Sequence, residues 1–130
     1  MEKKLDSVTQ AFLGDAFYEL CVRRRLAGRP ETYAADKLHS EAVKYVKASS
    51  QAKVLRALIK EGVLAEEELE VVKRARNRKP KSIPKNAEPL EYKLATAFEA
   101  LLGWQYAGGR SERAEELAEL AMRIIDNDSI

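Results

Sequence analysis

The chain has few of the residues on which much enzyme chemistry relies. Among 130 residues there is one cysteine, one histidine and one tryptophan. A single Cys21 excludes an intrachain disulfide and a cysteine-based zinc site within one chain, and its helical apolar surroundings suit a plain core thiol. A single His39, whose surroundings in sequence suggest no triad, reads as an exposed or hydrogen-bonded helical histidine, with at most a weak contact role beside Lys37 and Lys44. Glycine-rich phosphate loops of the Walker or Rossmann type are missing. No apolar run is long enough to span a bilayer. Met1–Asp6 lacks the apolar core of a signal peptide, so a cytoplasmic protein without membrane contact is expected. Sustained period-2 alternation and Asn-Gly or Asp-Gly turns are also absent, which excludes an evident β-hairpin.

What is present is helical periodicity sufficient for one domain over 1–130, all-α in class. Asp6 or Ser7 can cap a first helix running to about Ala27, with Gly28 and Pro30 ending it. Leu5, Val8, Phe12, Ala16 and Leu20 form its expected apolar stripe, widened by Leu13, Phe17 and Cys21. A second helix is expected over Thr32–Lys47. A third, capped by Ser49 or Ser50, runs over Gln51–Glu61 and stops at Gly62. A fourth covers Ala65–Arg76, its early acids and late bases matching the helix dipole. Pro80 and Pro84 place an exposed loop at 77–88. The fifth, Pro89–Ala107, is the most apolar and ends at Gly108-Gly109. The last, capped by Ser111, runs from Glu112 to about Asp126.

The net charge of +2 says little, but its distribution says more. Segment 73–85 holds seven basic residues and no acid. A solvated loop is the plain explanation of any charge run. Seven uncompensated like charges nevertheless favour a polyanionic partner. Arg74, Arg76, Lys79 and Lys85, with Lys73 and Arg78, can contact phosphates, and Asn77 and Asn86 can reach sugar or base edges. The segment has no aromatic ring to stack single-stranded bases, which favours recognition of a duplex by shape. Arg23-Arg24-Arg25 with Arg29 forms a second basic cluster. Acid collects at Glu66-Glu67-Glu68 and in the last helix.

Two carboxylates stand in apolar helical runs without a local base: Asp15, within Ala11–Tyr18, and Glu99, within Leu94–Trp104. A buried unpaired carboxylate must be protonated, paired from elsewhere or bound to a cation. Asp15 could cap locally after Gly14 or meet an arginine from another helix. Glu99 could pair with Lys93 of another subunit or with a loop base. The alternative is a divalent-metal site where the first and fifth helices meet, for which Mg²⁺ needs few carboxylates, several waters and the substrate's phosphates. Glu19, one turn beyond Asp15, would bind a water of the metal shell or, in slight preference, salt-bridge Arg23.

These residues also resemble a known family. Phe12-Leu13-Gly14-Asp15-Ala16 resembles the signature of the ribonuclease III catalytic domain, and Phe98-Glu99-Ala100-Leu101-Leu102-Gly103 its second acidic motif. Lys73-Arg74-Ala75-Arg76-Asn77, Pro84-Lys85-Asn86, Thr96–Leu101, Leu38-His39 and Ser50-Gln51-Ala52-Lys53 are similar to the short, mini branch of that family. The resemblance spans essentially the whole chain, and no double-stranded-RNA-binding domain is expected beside it. It implies an all-helical, homodimeric endoribonuclease that needs Mg²⁺, with Mn²⁺ as a substitute, and cuts both strands of double-stranded RNA. The products would carry 5′-phosphate and 3′-hydroxyl ends. It further implies maturation of precursor large-subunit (23S) ribosomal RNA, with a ribosomal protein as a possible presenting partner. Asp15 and Glu99 carry over as the metal-binding acids, and Phe12 as the residue that enters a cavity of the partner subunit. Ala11 and Thr96 stand where the larger enzymes of the family place two further acids, which thins the ligand set. A non-catalytic RNA-binding helical module acting in ribosome assembly is the alternative, and those two missing acids are its best support.

Overall fold

A computed structural model describes residues 5–32, 34–80 and 82–128. Among them are six α-helices and no strand: α1 Ser7–Ala27, α2 Ala35–Val46, α3 Ala48–Lys60, α4 Glu66–Asn77, α5 Pro89–Ala107 and α6 Ser111–Asp128. Met1–Lys4 of the N-terminal stretch and Lys81 of the basic segment lie outside the described residues.

Local chemistry accounts for most boundaries. Asp6 caps α1 by accepting from the Thr9 amide at 2.8 Å. Glu88 caps α5, accepting from Leu90 and Glu91 amides at 3.2 and 2.8 Å, with Pro89 pre-set in the first turn. Gly62 and Gly109 take left-handed φ values of 68° and 79° at the turns after α3 and α5.

Three expected boundaries shift. Residues 30–32 form a 3-10 turn, so the second helix begins at Ala35 rather than Thr32. The third begins at Ala48, because Lys47 alone, at φ −65° and ψ 151°, separates α2 from α3. Ser50 therefore caps nothing, and its hydroxyl instead donates back to the Lys44 carbonyl at 2.6 Å, bracing the kink. Ser111 lies inside α6, whose first turn is closed by the Ala114 amide on the Arg110 carbonyl at 3.1 Å.

α5 is the central element and packs against α1, α3, α4 and α6. It is buried on several faces through Leu94, Ala97, Phe98, Ala100, Leu101 and Leu102, as an all-round apolar helix must be. α1 crosses it closely because two glycines meet there. A Cβ on Gly14 would sit 1.7 Å from the Glu99 carbonyl oxygen, and one on Gly103 would sit 1.8 Å from that of Gln10. Tyr18 then meets Phe98 edge-on, ring centroids 5.2 Å apart, to fix the next turn.

That crossing overturns much of the expected stripe of α1, of which Phe17 and Cys21 still turn inward. The inward face is Ala11, Gly14, Phe17, Tyr18, Cys21, Val22 and Leu26. Val8, Phe12 and Leu20 point outward, 45%, 80% and 63% exposed. α1 carries two apolar faces, and the small residue needed for a close approach decides which one turns in. Free Cys21 is buried, as expected of a core thiol.

Candidate active site

The Gly14–Gly103 crossing makes Asp15 and Glu99 neighbours. Gly14 lies against the backbone of Glu99, so the next residue on α1 projects beside that carboxylate. The expected burial holds unevenly: Asp15 is exposed, and Glu99 is partly buried. Asp15 is exposed because the apolar residues on both sides of it belong to two different faces of α1. Neither acid is in an ion pair among the described residues. Neither the arginine from another helix considered for Asp15 nor a loop base considered for Glu99 makes such a pair among the described residues.

Burial, and next the negative charge of Asp15, push the Glu99 carboxyl up to about 8, and Glu19 adds to the repulsion. Among the described residues a donor opposes this: Gln51 Nε2 of α3, 3.4 Å from Glu99 Oε2. Glu19 itself pairs with Arg23 at 3.2 Å, the arrangement favoured from their spacing. No group of three or more His, Cys, Asp or Glu side chains that could hold a metal occurs among the described residues. The donor set is therefore two carboxylates. It is all oxygen, crowded with negative charge and open on the Asp15 side, which fits a hard cation that keeps its waters or gains phosphate oxygens.

The basic segment is partly helix. Lys73, Arg74, Arg76 and Asn77 lie on the last turns of α4, while Arg78, Lys79, Lys85 and Asn86 lie in the loop before α5. All eight are exposed. None is in an ion pair among the described residues. Arg74 and Arg78 line a shallow concavity with Leu5, Asp6 and Ser7 at the start of α1. The Thr9 amide, with a smaller effect from Arg78, holds the Asp6 carboxyl below its ordinary range. Eight residues of helix separate Ser7 from Asp15, so the bases flank the acid pair at about 12 Å along α1 rather than meeting it.

The second basic cluster is neutralised. Arg23 pairs with Glu19, Arg24 with Glu115 at 3.1 Å, and Arg25 with Glu119 and Asp126 at 3.3 and 2.6 Å. Arg29 reaches Asp126 at 3.8 Å. The bridges of Arg24 and Arg25 dock the second half of α1 on α6 and compensate this cluster within the protomer. His39 is exposed, as expected.

Two polar side chains carry more than the sequence reading assigns them. Glu68, part of the acidic run that opens α4, is 3% exposed and accepts from Ala65 N, Gln105 Nε2 and Arg113 Nε at 2.8, 2.5 and 2.9 Å. Burial alone would raise its carboxyl, but Arg113 and the other donors outweigh that and hold it below the usual range. The cluster ties α4, α5 and α6 together and is structural. Gln51 is 2% exposed and sits beside Glu99. In both cases a signal exists, since Gln51 keeps register with Val54, Leu55 and Leu58, and Glu68 with Val71, Val72 and Ala75. A polar residue in phase with a buried stripe is itself buried.

A helical domain whose two central helices bring a carboxylate pair to one crossing, with exposed bases flanking it, has the makings of a phosphodiester site. Comparison with known proteins gives that class its family. The Ribonuclease III domain model matches residues 9–110, and the chain belongs to the ribonuclease III family, as a ribonuclease III-type endoribonuclease. The resemblance to the mini branch also holds. The Mini-ribonuclease 3 of Brevibacillus brevis is 46% identical over 119 residues, 92% of this chain and 87% of that protein. The Mini-ribonuclease 3 of Symbiobacterium thermophilum is 43% identical over 122 residues, 94% of this chain and 92% of that protein. The crystal structure of a protein from Fusobacterium nucleatum superposes with a TM-score of 0.81 at 29% identity, covering 93% of this chain and 94% of that one.

Proposed function

We propose that the chain is a homodimeric, Mg²⁺-dependent endoribonuclease specific for double-stranded RNA, acting in the maturation of precursor large-subunit ribosomal RNA. The observation that carries the metal-dependent chemistry is the unneutralised Asp15–Glu99 pair, where burial and mutual repulsion raise Glu99 to about 8. Such a pair is costly by itself and is relieved by a divalent cation.

Asp15 and Glu99 would hold the cation. When bound, it supplies an activated water and offsets charge on the phosphate. Glu99, oriented from α5 and backed by Gln51, sets one fixed oxygen in the site. Asp15, on the exposed side, leaves room for a phosphate to approach. Lys73, Arg74, Arg76, Arg78, Lys79 and Lys85 bind backbone phosphates away from the cut, and Asn77 and Asn86 face the minor groove. With no ring among them, they suit a duplex read by shape.

The homodimer rests on the outward face of α1. Phe12 is 80% exposed and Leu20 63%, an apolar pair on the signature helix with nothing covering them in one protomer. A large aromatic left open between Val8 and Leu20 fits insertion into a second copy. Such packing would set two acid pairs in one particle, one for each strand of the duplex. A ribosomal protein that shapes the substrate is a further partner in this proposal.

The test is cleavage of an end-labelled RNA duplex and of its separated strands, in Mg²⁺ and in EDTA. Cutting of the duplex alone, and only with the metal, supports the reading. Binding of the duplex without cutting under any metal would refute it and favour the RNA-binding module.

A further inference from the structure

Gln51 has no role in phosphate binding, yet the fold treats it as no ordinary core residue. It projects from α3 into the protein and is 2% exposed. Its Nε2 donates to the Val46 carbonyl at 2.8 Å and to Glu99 Oε2 at 3.4 Å. Its Oε1 is buried without a partner.

The Val46 carbonyl fixes which way the amide faces. A carbonyl only accepts, so the NH₂ end must point towards it, and the second N–H falls to Glu99. The oxygen is then left bare, which a core asking only for volume would avoid by placing leucine or methionine there. Two features make the amide rigid. It is anchored on the last carbonyl of α2, and it stands in the first turn of α3, directly after the one-residue kink at Lys47. Ser50 braces the same kink from the neighbouring position. The α2–α3 junction therefore presents a single fixed N–H to one oxygen of Glu99, and this donor opposes the shift that burial and Asp15 impose on that acid.

We propose that Gln51 is a positioning residue: it holds the Glu99 carboxylate in the rotamer that faces Asp15, and so pre-forms the cation site. The inference rests on the reading of Asp15 and Glu99 as the metal-binding pair. It assigns the geometry of that pair to a third helix, which neither acidic motif contains. Anchoring of a metal-binding carboxylate by a neighbouring hydrogen bond is a general means of tuning affinity.

The experiment uses the full chain and Mn²⁺ alone, with binding followed by loss of the free-ion electron paramagnetic resonance signal. Wild type, Gln51→Met and Glu99→Gln are compared, with duplex cleavage and unfolding midpoints measured in parallel. Methionine keeps the volume and removes the donor. Gln51→Met is expected to weaken Mn²⁺ binding and lower kcat, each by about tenfold, as for a hydrogen bond to a charged group. KM for the duplex should not change, and the unfolding midpoint should stay or rise. A lowered midpoint with wild-type Mn²⁺ affinity would mean a purely structural role and overturn the proposal. Gln51→Leu provides the same comparison if methionine disorders α3. Should Glu99→Gln lose Mn²⁺ while Gln51→Met keeps it, only this inference fails. Should Glu99→Gln bind Mn²⁺ like wild type, the acid-pair reading fails and the inference with it.

Discussion

Removing the charge of Glu99 should make the metal-free protein more stable at high pH, although it removes the proposed chemistry. The folded protein holds the Glu99 proton up to about 8, against an ordinary value of 4.5. Between those two values the native state binds more protons than the unfolded chain, so stability falls as pH rises through the window. Below it, Glu99 is protonated in both states and contributes nothing. At about 1.4 kcal/mol per pH unit the full shift would correspond to at most about 5 kcal/mol. Water around the partly exposed carboxyl reduces this to on the order of 2 kcal/mol. The side-chain amide introduced by Glu99→Gln can still accept from Gln51 and cannot ionise. Urea unfolding in EDTA should therefore give similar stabilities for wild type and variant at pH 4.5, with the variant ahead by about 2 kcal/mol at pH 9. Excess Mg²⁺ at pH 9 should close the gap by stabilising wild type alone. Parallel stability profiles from pH 4.5 to 9 would refute the argument that the acid pair is strained without a cation.

Other outcomes follow from the same geometry. Gly103→Ala places a Cβ 1.8 Å from the Gln10 carbonyl and should cost more than about 3 kcal/mol in urea, since two helix backbones must separate; a loss below about 1 kcal/mol would contradict the close crossing. Glu68→Gln removes the buried carboxylate that ties Arg113 to α4 and α5, leaving it only the exposed Glu116, and should cost about 2 kcal/mol; unchanged stability would make the cluster incidental. Replacing Arg74, Arg76 and Arg78 by Gln should reduce the slope of log affinity against log salt by about 3; an unchanged slope removes these bases from the RNA surface. Phe12→Glu should convert a dimer to monomers in sedimentation equilibrium while helix content is kept, because its ring is 80% exposed in the protomer; a dimer of wild-type strength would place the interface elsewhere.

The helices themselves are readable because their signals are local. The Asp6 cap, Pro89 in the first turn of α5 and the glycine stops all act within one turn, and the structure keeps them. The α2–α3 kink is not readable, since it depends on one extended residue, Lys47, braced from α3 by Ser50 and Gln51. Which face of α1 turns inward depends on the Gly14–Gly103 contact, a property of two distant segments. The acids stand out because carboxylates among apolar residues call for an explanation. Their surroundings are only half legible, because Asp15 lies between two apolar faces instead of within one. The pairing of the α1 arginines is not legible locally, because Glu115, Glu119 and Asp126 that neutralise them come from the far end of the chain. Gln51 and Glu68 are in phase with buried stripes, and that phase is the feature a reading of charge runs overlooks.

The most direct test of the acid-pair site is cleavage of one labelled RNA duplex by wild type, Asp15→Asn and Glu99→Gln in Mg²⁺, with duplex binding measured on the same samples. Loss of cutting in both variants with binding retained is the expected result. Cutting at the wild-type rate by either variant would contradict the site.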